Sequence, residues 1–343
     1  MYDLIVSGAG PVGSHLARQF TKKGQDVLLL EKGEVGKPLK GTGHVSTDIF
    51  DHVPKDESFI EKEIYGAEVH DRFGSYSFGR DRLTSYVIDR VEFDKYMVDL
   101  AKEEGVEFKN EKFDGYEAER GKVIVETNEG KYESRLLAGC DGPQSDVRTA
   151  SEMDGPKMFL HGIFTEQIEV EPIEQDYVEL FLDASDDFFG WKVPREESFE
   201  YGLALEQGRD TREALERFSE KEGFNIRKVY AGMIPILPPE EIHKGRAFLC
   251  GDAAGHTKPF SGGGLIYGLT AAKIVAETID PERPTTLENY EDEWRDELMG
   301  EINLGDKIRK FYKRPSWFRE PMLWLGEKMS QGAHMDRPSS LLR

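Results

Sequence analysis

Three glycines and one acid near the start of the chain are spaced to hold a diphosphate and a ribose. Gly8, Gly10 and Gly13 follow the apolar run 4–6, and Glu31 closes a second apolar run, 27–30. In a strand, turn and helix, the first glycine permits the tight turn and the second admits a pyrophosphate close to the backbone. The third lets the helix pack against the sheet. The phosphates then meet the positive N-terminal end of the helix. Glu31 stands eighteen residues past Gly13, where a carboxylate accepts hydrogen bonds from a ribose 2′-hydroxyl and repels the extra phosphate of NADP. The chemistry expected from this stretch is the binding of an adenine dinucleotide.

Two later stretches carry residues of the same kind. A buried-looking strand over 135–139 ends in Cys140, Asp141 and Gly142, and an apolar run, 247–250, ends in Gly251 and Asp252, with Gly262, Gly263 and Gly264 just beyond. Asp252 at a strand end is suited to accept from a sugar-alcohol hydroxyl. Three consecutive glycines before a helix leave backbone N–H groups open to an anion or a flat ring edge. Between these landmarks lies the glycine-spaced loop 36–46, which contains Gly41, Thr42 and His44 and reads either as a ligand wrap or as an ordinary surface loop.

The elements that must position these residues are legible from periodicity. Strands are expected at 4–6 and 27–30 with a helix from Pro11 to about Lys22 between them, then alternating strands over 64–88 and an apolar helical face from Phe93 to Ala101. Strand patterns at 159–164, 177–182, 188–193, 201–205 and 229–236, with one helix near 212–222, mark a second, α+β layer. A helix follows Gly264, and two more are expected at 287–300 and 302–312. The domain reading is a discontinuous α/β dinucleotide-binding domain (1–63, 89–155 and 241–285), an antiparallel-sheet domain (64–88 and 156–240) and C-terminal helices (286–343).

With 343 residues, 38% of them hydrophobic, the chain suffices for a sizeable core. A net charge of −21 disfavours nucleic acid as a partner. Two cysteines without CxxC spacing suggest a reducing compartment, and no metal site is expected. No signal peptide is expected, since the first strand starts at Tyr2, and no apolar run reaches the ~20 residues of a membrane span. The protein is expected in the cytoplasm or on a membrane surface. Residues 307–328 hold seven Lys or Arg against two Glu, together with Trp317, Phe318, Met322, Leu323, Trp324 and Leu325. Such a segment reads either as a helix packed on the body or as an interfacial helix on anionic lipid.

Gly8 to Gly13, Glu31, Arg90, the Asp141-Gly142 pair and Gly251-Asp252 together resemble the FAD-dependent enzymes of glutathione-reductase and aromatic-hydroxylase type. Within them the chain is similar to the geranylgeranyl reductases, through residues 251–264 and Phe189-Gly190-Trp191-Lys192-Val193-Pro194. The latter is similar to that family's YxWxFP substrate-cavity motif, with Phe189 for Tyr and Val193 for Phe. The resemblance implies FAD as cofactor, with Val12 at the pyrophosphate and Glu31 and Lys32 near the adenosine ribose. It implies Arg90 and Asp252 at the ribityl and phosphate region, Asp141 nearby and Phe113 at the adenine. Gly263, Gly264 and Leu265 are implied at the flavin ring edge, and Gly41, Thr42 and His44 beneath it. Phe189, Trp191 and Pro194 are implied at the substrate. Many members carry a cysteine where Gly41 stands, so no thiol acts there.

The activity implied is the saturation of C=C bonds in geranylgeranyl or polyprenyl chains, such as those of archaeal-type ether lipids. A hydride equivalent from reduced flavin and a proton would each reach one alkene carbon. The electron donor would be NAD(P)H or ferredoxin, and His44 or water is the candidate for the proton step. The cavity is expected to be apolar, with Phe181, Phe188, Trp191 and Ile234 among its walls. A flavin monooxygenase or halogenase shares much of 251–264, although a halogenase would carry a second Trp where Phe189 stands. A prenyl-lipid carrier that has lost catalysis is the third reading.

Overall fold

A computed structural model describes residues 1–39, 41–169, 171–329 and 334–342. Two sheets carry the architecture. In the first, the order is His243–Lys244, Ala247–Leu249, Lys131–Gly139, Tyr2–Ser7, Val27–Leu30 and Glu107–Lys109, parallel except at the first pair. Phe113–Glu119 and Lys122–Thr127 extend Lys131–Gly139 as an antiparallel ribbon. Leu4, Ile5, Leu28, Leu29, Leu136, Leu137, Phe248 and Leu249 have no exposed surface, as a parallel sheet covered on both faces demands. Helix Pro11–Lys22 lies between helices Leu265–Thr278 and Arg90–Glu103.

The four inner strands end side by side. Ser7, Leu30, Gly139 and Leu249 are their last residues, so Gly8, Glu31, Cys140-Asp141 and Cys250-Gly251-Asp252 all emerge along one edge of the sheet. In open α/β sheets that carboxyl edge is where ligands bind.

The second sheet has the order Val229–Ile236, Met158–Ile168, Ser198–Glu206, Gly190–Pro194, Val178–Phe181, Ala67–Asp71 and Gly74–Phe78. Helix Thr211–Glu222 packs Leu215 and Phe218 on one face, and the other face looks into the cavity described below. Two expectations change here. The stretch 64–88 is not one antiparallel unit: 67–78 joins the second sheet, whereas Ser85–Ile88 pairs with His44–Ser46 and Ile60–Ile64 in a third. Gly66 and Gly79 meet at this fork, both at positive φ (84° and 67°), and a β-carbon on Gly66 would lie 2.6 Å from the Gly79 backbone. The expected break between the helices at 287–300 and 302–312 is also absent. Gly300 keeps helical dihedrals, and Thr286–Trp294 runs through a wide π-helical turn, Arg295–Met299, into Gly300–Tyr312. Helix Ser316–Met329 follows. Residues 330–333 and 343 of the C-terminal segment lie outside the described residues.

Candidate cofactor and substrate site

The first turn is built from glycines with distinct tasks. Gly8 has φ 100°, and a β-carbon there would stand 2.5 Å from the Cys140 carbonyl oxygen; one on Gly13 would stand 2.0 Å from the Gly8 carbonyl oxygen. Both positions are closed by the protein itself. Gly10 differs, because a β-carbon there would meet nothing within 4 Å. The space over it, at the N-terminus of helix Pro11–Lys22, is kept for something other than protein. The Val12 side chain seals the far side against Gly251 and Gly268. Glu31 accepts from the Ala9 N–H at 2.9 Å and the Gly33 N–H at 3.1 Å, which ties the turn to the second strand. Lys32 sits at the rim, 3.4 Å from Asp146.

Asp141 caps the short helix Asp146–Ala150: one oxygen accepts from the N–H groups of Asp146 (2.8 Å) and Val147 (3.1 Å). Its other oxygen is buried without a partner among the described residues, and burial raises its pKa. Such an orphan acceptor on a cavity wall suits a ligand donor. Asp252 lies in the turn Gly251–Ala254, and a β-carbon on Gly264 would come within 2.5 Å of its Oδ1, so glycine is what lets Asp252 reach this wall. Arg90, at the start of its helix, pairs with Asp94 at 3.1 Å, and Phe113 is buried at the first residue of strand Phe113–Glu119. Gly8, Gly10, Val12, Glu31, Lys32, Arg90, Phe113, Asp141, Asp252 and Gly264 line one cavity, whereas Gly13, closed against the Gly8 carbonyl, does not reach it.

The 41–44 loop passes beside them. Gly41 and Gly43 have φ of 79° and 73°, a backbone that L-residues adopt only at a cost. A cysteine at 41 would be strained, which is a local reason for glycine there. The His44 ring exchanges a hydrogen bond with Ser85 at 2.7 Å, and its backbone N–H donates to the Thr42 hydroxyl at 3.1 Å. Burial, with Lys258 nearby, lowers its pKa to about 4. The ring is therefore neutral at physiological pH, which favours water over His44 of the two candidates for the proton step. For a base whose pKa drops on folding, stability is full above the unfolded value near 6.5 and is lost as pH falls through the folded value. The unfolding free energy should decline between about pH 6.5 and pH 4, and H44Q should flatten part of that decline. Denaturant titrations across this range check it, and parallel profiles for parent and variant would refute it.

Beneath the glycine triplet, Lys258 forms a buried ion pair with Asp336, which also accepts from the Ser46 hydroxyl. Tyr267 donates to the Asp336 carbonyl at 2.9 Å. Asp48, His334 and Asp336 place ligand atoms within 4.8 Å of one another. However, Asp336 is already engaged by Lys258 and Ser46, and His334 contacts Asp48 at 3.2 Å, so this group is closed on itself.

The cavity has a volume of about 1220 Å³ and runs from the Gly8 turn, past the 41–44 loop and Gly262–Gly264, to an apolar end. That end is walled by Phe164, Trp191 and Ile234 from the second sheet, by Phe188 and Phe189 from the segment leading into strand Gly190–Pro194, and by Phe311, Tyr312 and Met322 from the C-terminal helices. Phe189 stacks on Phe188 at 4.1 Å and meets Tyr312 edge-on at 5.6 Å. Two expected wall residues are elsewhere. Phe181 packs on the opposite face with His70 and Phe218, leaving the wall to Leu180 and Leu182. Pro194 is buried but off the lining, because the two-residue period that turns Trp191 and Val193 inward turns Pro194 away with Lys192.

Several wall residues carry no signal in their own stretch of sequence. Lys258 reads as a charge in a loop, and its partner Asp336 is 78 residues away. His334, Met335 and Pro338 line the cavity from the C-terminal segment. For Tyr312 and Met322, the apolar count of 307–328 was a usable signal.

The open space over Gly10, the orphan oxygen of Asp141 and the acid at the second strand fit FAD at this edge. The sequence profile of a family described as FAD binding domain matches residues 1–233. Digeranylgeranylglycerophospholipid reductase 1 of Methanococcoides burtonii is 30% identical over 88% of this chain and 81% of its own. The digeranylgeranylglycerophospholipid reductase of Methanocaldococcus jannaschii is 26% identical over 92% and 88%. Among solved structures, a geranylgeranyl bacteriochlorophyll reductase-like protein of Thermoplasma acidophilum superposes with a TM-score of 0.85 at 21% identity, covering 99% of this chain and 94% of that one. The flavin-dependent brominase Bmp2, as a triple mutant, superposes at 0.77 and 15% identity, over 99% and 95%.

Proposed function

Because this chain belongs to the FAD binding domain family and is a flavin-dependent oxidoreductase of geranylgeranyl reductase type, we propose that it saturates C=C bonds in geranylgeranyl or related polyprenyl chains of archaeal-type ether lipids. The observation that carries the reading is the single cavity that joins a dinucleotide cradle to an aromatic, apolar end. Its volume exceeds the ~300–1,000 Å³ of ordinary ligand pockets, leaving room for cofactor and hydrocarbon together. Bound in this cradle, FAD would supply the hydride equivalent, with NAD(P)H or a ferredoxin as the source of its electrons. The protein's part is to hold an alkene in a dry channel between Phe188, Trp191 and Ile234 and to present it at the 41–44 loop. His44 keeps a neutral ring there and orders Ser85, while the proton for the second carbon comes from another group or from water.

Entry from a membrane surface completes this reading. No helix among the described residues is long and apolar enough to cross a bilayer. Helix Ser316–Met329 nevertheless exposes Trp317, Phe318, Met322, Trp324 and Leu325. Phe73, 72% exposed at a hairpin tip, is joined to it by its N–H donating to Glu320 at 3.0 Å. Met322 belongs to both this face and the cavity wall. Such a face, in a basic segment of an acidic protein, suits anionic lipid.

The test is anaerobic. FAD-loaded protein reduced with dithionite is mixed with anionic vesicles containing a digeranylgeranyl lipid, and the lipid is then weighed by mass spectrometry. The expected result is reoxidation of the flavin, a mass gain in pairs of hydrogens and cosedimentation of protein with vesicles. A flavin that stays reduced with the lipid, yet is reoxidised by oxygen with conversion of an aromatic substrate, would replace this reading with a monooxygenase.

A further inference from the structure

The indole of Trp191 has one polar atom, and a buried indole N–H must find an acceptor. It finds Glu200, donating to Oε1 at 2.9 Å. Trp191 opposes Gly202 on the neighbouring strand, and Glu200 opposes Val193, so the bond runs diagonally between strands. A β-carbon at Gly202 would lie 2.4 Å from the indole, so the ring rests directly on this glycine. Glu200 has no exposed surface, and its second oxygen accepts from Arg195 Nη2 at 3.1 Å.

Arg195, also buried, follows Pro194 in the hairpin between the two strands. The same Nη2 donates to the Thr42 carbonyl at 2.8 Å, and Nη1 donates to Glu61 at 2.5 Å. Glu166 lies 3.6 Å from its Nε. One guanidinium thus faces three carboxylates and one loop carbonyl. Thr42 sits between two glycines of positive φ, so its own backbone supplies little stiffness. A hydrogen-bonded path of three bonds therefore leads from the apolar wall to the loop expected beneath the flavin.

We propose that Trp191, Glu200, Arg195 and Thr42 form a positioning relay in which filling of the apolar cavity at Trp191 resets the loop at Thr42, with Arg195 as the central positioning residue. A plain structural role, closing the hairpin, would need only the backbone bond from Arg195 N–H to Ser198 at 2.8 Å. It would not call for a fully buried acid shared between the cavity wall and the guanidinium. The relay rests on the proposed function only for the placing of the flavin at this loop and for the kind of chain that fills the cavity.

The test uses the FAD-loaded protein and two probes, geranylgeraniol and the straight-chain hexadecanol, with probe binding followed by calorimetry and the flavin by its visible spectrum. In the wild type, each bound probe should shift the flavin bands. In R195K, whose single ammonium cannot serve Glu200 and Thr42 as a planar fork does, probes should still bind while most of the shift is lost. W191F cuts the relay at its other end and should do the same, which keeps the test decisive if R195K does not fold. A merely structural arginine would lower the melting temperature and leave the shift intact. A wild-type shift in either variant with probe bound, or a wild-type protein that binds hexadecanol without any shift, overturns the relay. A shift with hexadecanol but none with geranylgeraniol leaves the relay standing and removes the prenyl reading instead.

Discussion

Replacing Gly10 with alanine should leave the protein folded and strip it of most of its FAD. The dihedrals at Gly10, φ −67° and ψ 176°, are ones any residue adopts, and a β-carbon meets no protein atom within 4 Å. The folded state therefore accepts the methyl, and the unfolded chain loses freedom, a gain of about 0.4–1 kcal/mol. The methyl instead fills the approach to the N-terminus of helix Pro11–Lys22, where a pyrophosphate would accept charge-assisted hydrogen bonds worth about 1.5–3 kcal/mol each. Losing one or two of them raises the FAD dissociation constant on the order of a hundredfold or more. G13A should behave in the opposite sense, since its β-carbon lies 2.0 Å from the Gly8 carbonyl oxygen and must break the turn. Melting temperature and flavin-to-protein ratio, measured together, separate the two effects. A G10A protein that keeps its full flavin would place the pyrophosphate elsewhere.

G232F should retain flavin and lose turnover of long prenyl chains. Gly232 lies on the strand Val229–Ile236, lines the cavity, and has nothing within 4 Å of a β-carbon. A phenyl ring projecting there occupies about the space of one isoprene unit. At ~0.8 kcal/mol for each buried methylene, excluding five carbons removes about 4 kcal/mol of binding, or roughly a thousandfold in kcat/KM. Dithionite-reduced enzyme assayed on geranylgeranyl and on shorter isoprenoids would show the loss deepening with chain length. Equal losses on every length would mean that the ring disturbs the cofactor end instead.

What could be read beforehand was what is local. The glycines at 8, 10 and 13 and the acid at 31 each follow a buried strand by a fixed number of residues, and the parallel sheet brings them to one edge. The same holds for Asp141 and Asp252. The faces of the second sheet were less legible. Leu180 and Phe181 are equally apolar in sequence, and helix Thr211–Glu222 covering one face of their strand decides which of them meets the cavity. Pro194 sits in a recognisable motif, yet strand parity takes it off the wall. Arg195 was hidden by Glu196, Glu197 and Glu200 around it, a run that reads as a solvated hairpin although Glu200 is wholly buried. The fork at Gly66 and Gly79 depends on two residues thirteen apart touching, which periodicity does not encode.

The Asp336 anchor has a consequence for how the protein comes into being on the ribosome. Ser46 and Asp336 are 290 residues apart in the chain, and Lys258 and Asp336 are 78 apart. Translation produces the Gly8 turn, both sheets and Lys258 well before the residue that neutralises this lysine. Until residue 336 emerges, the nascent chain must keep Lys258 hydrated, because a buried unpaired cation costs several kcal/mol. The floor under Gly262–Gly264 thus closes late in synthesis, and maturation of the site is ordered in time by the position of one aspartate.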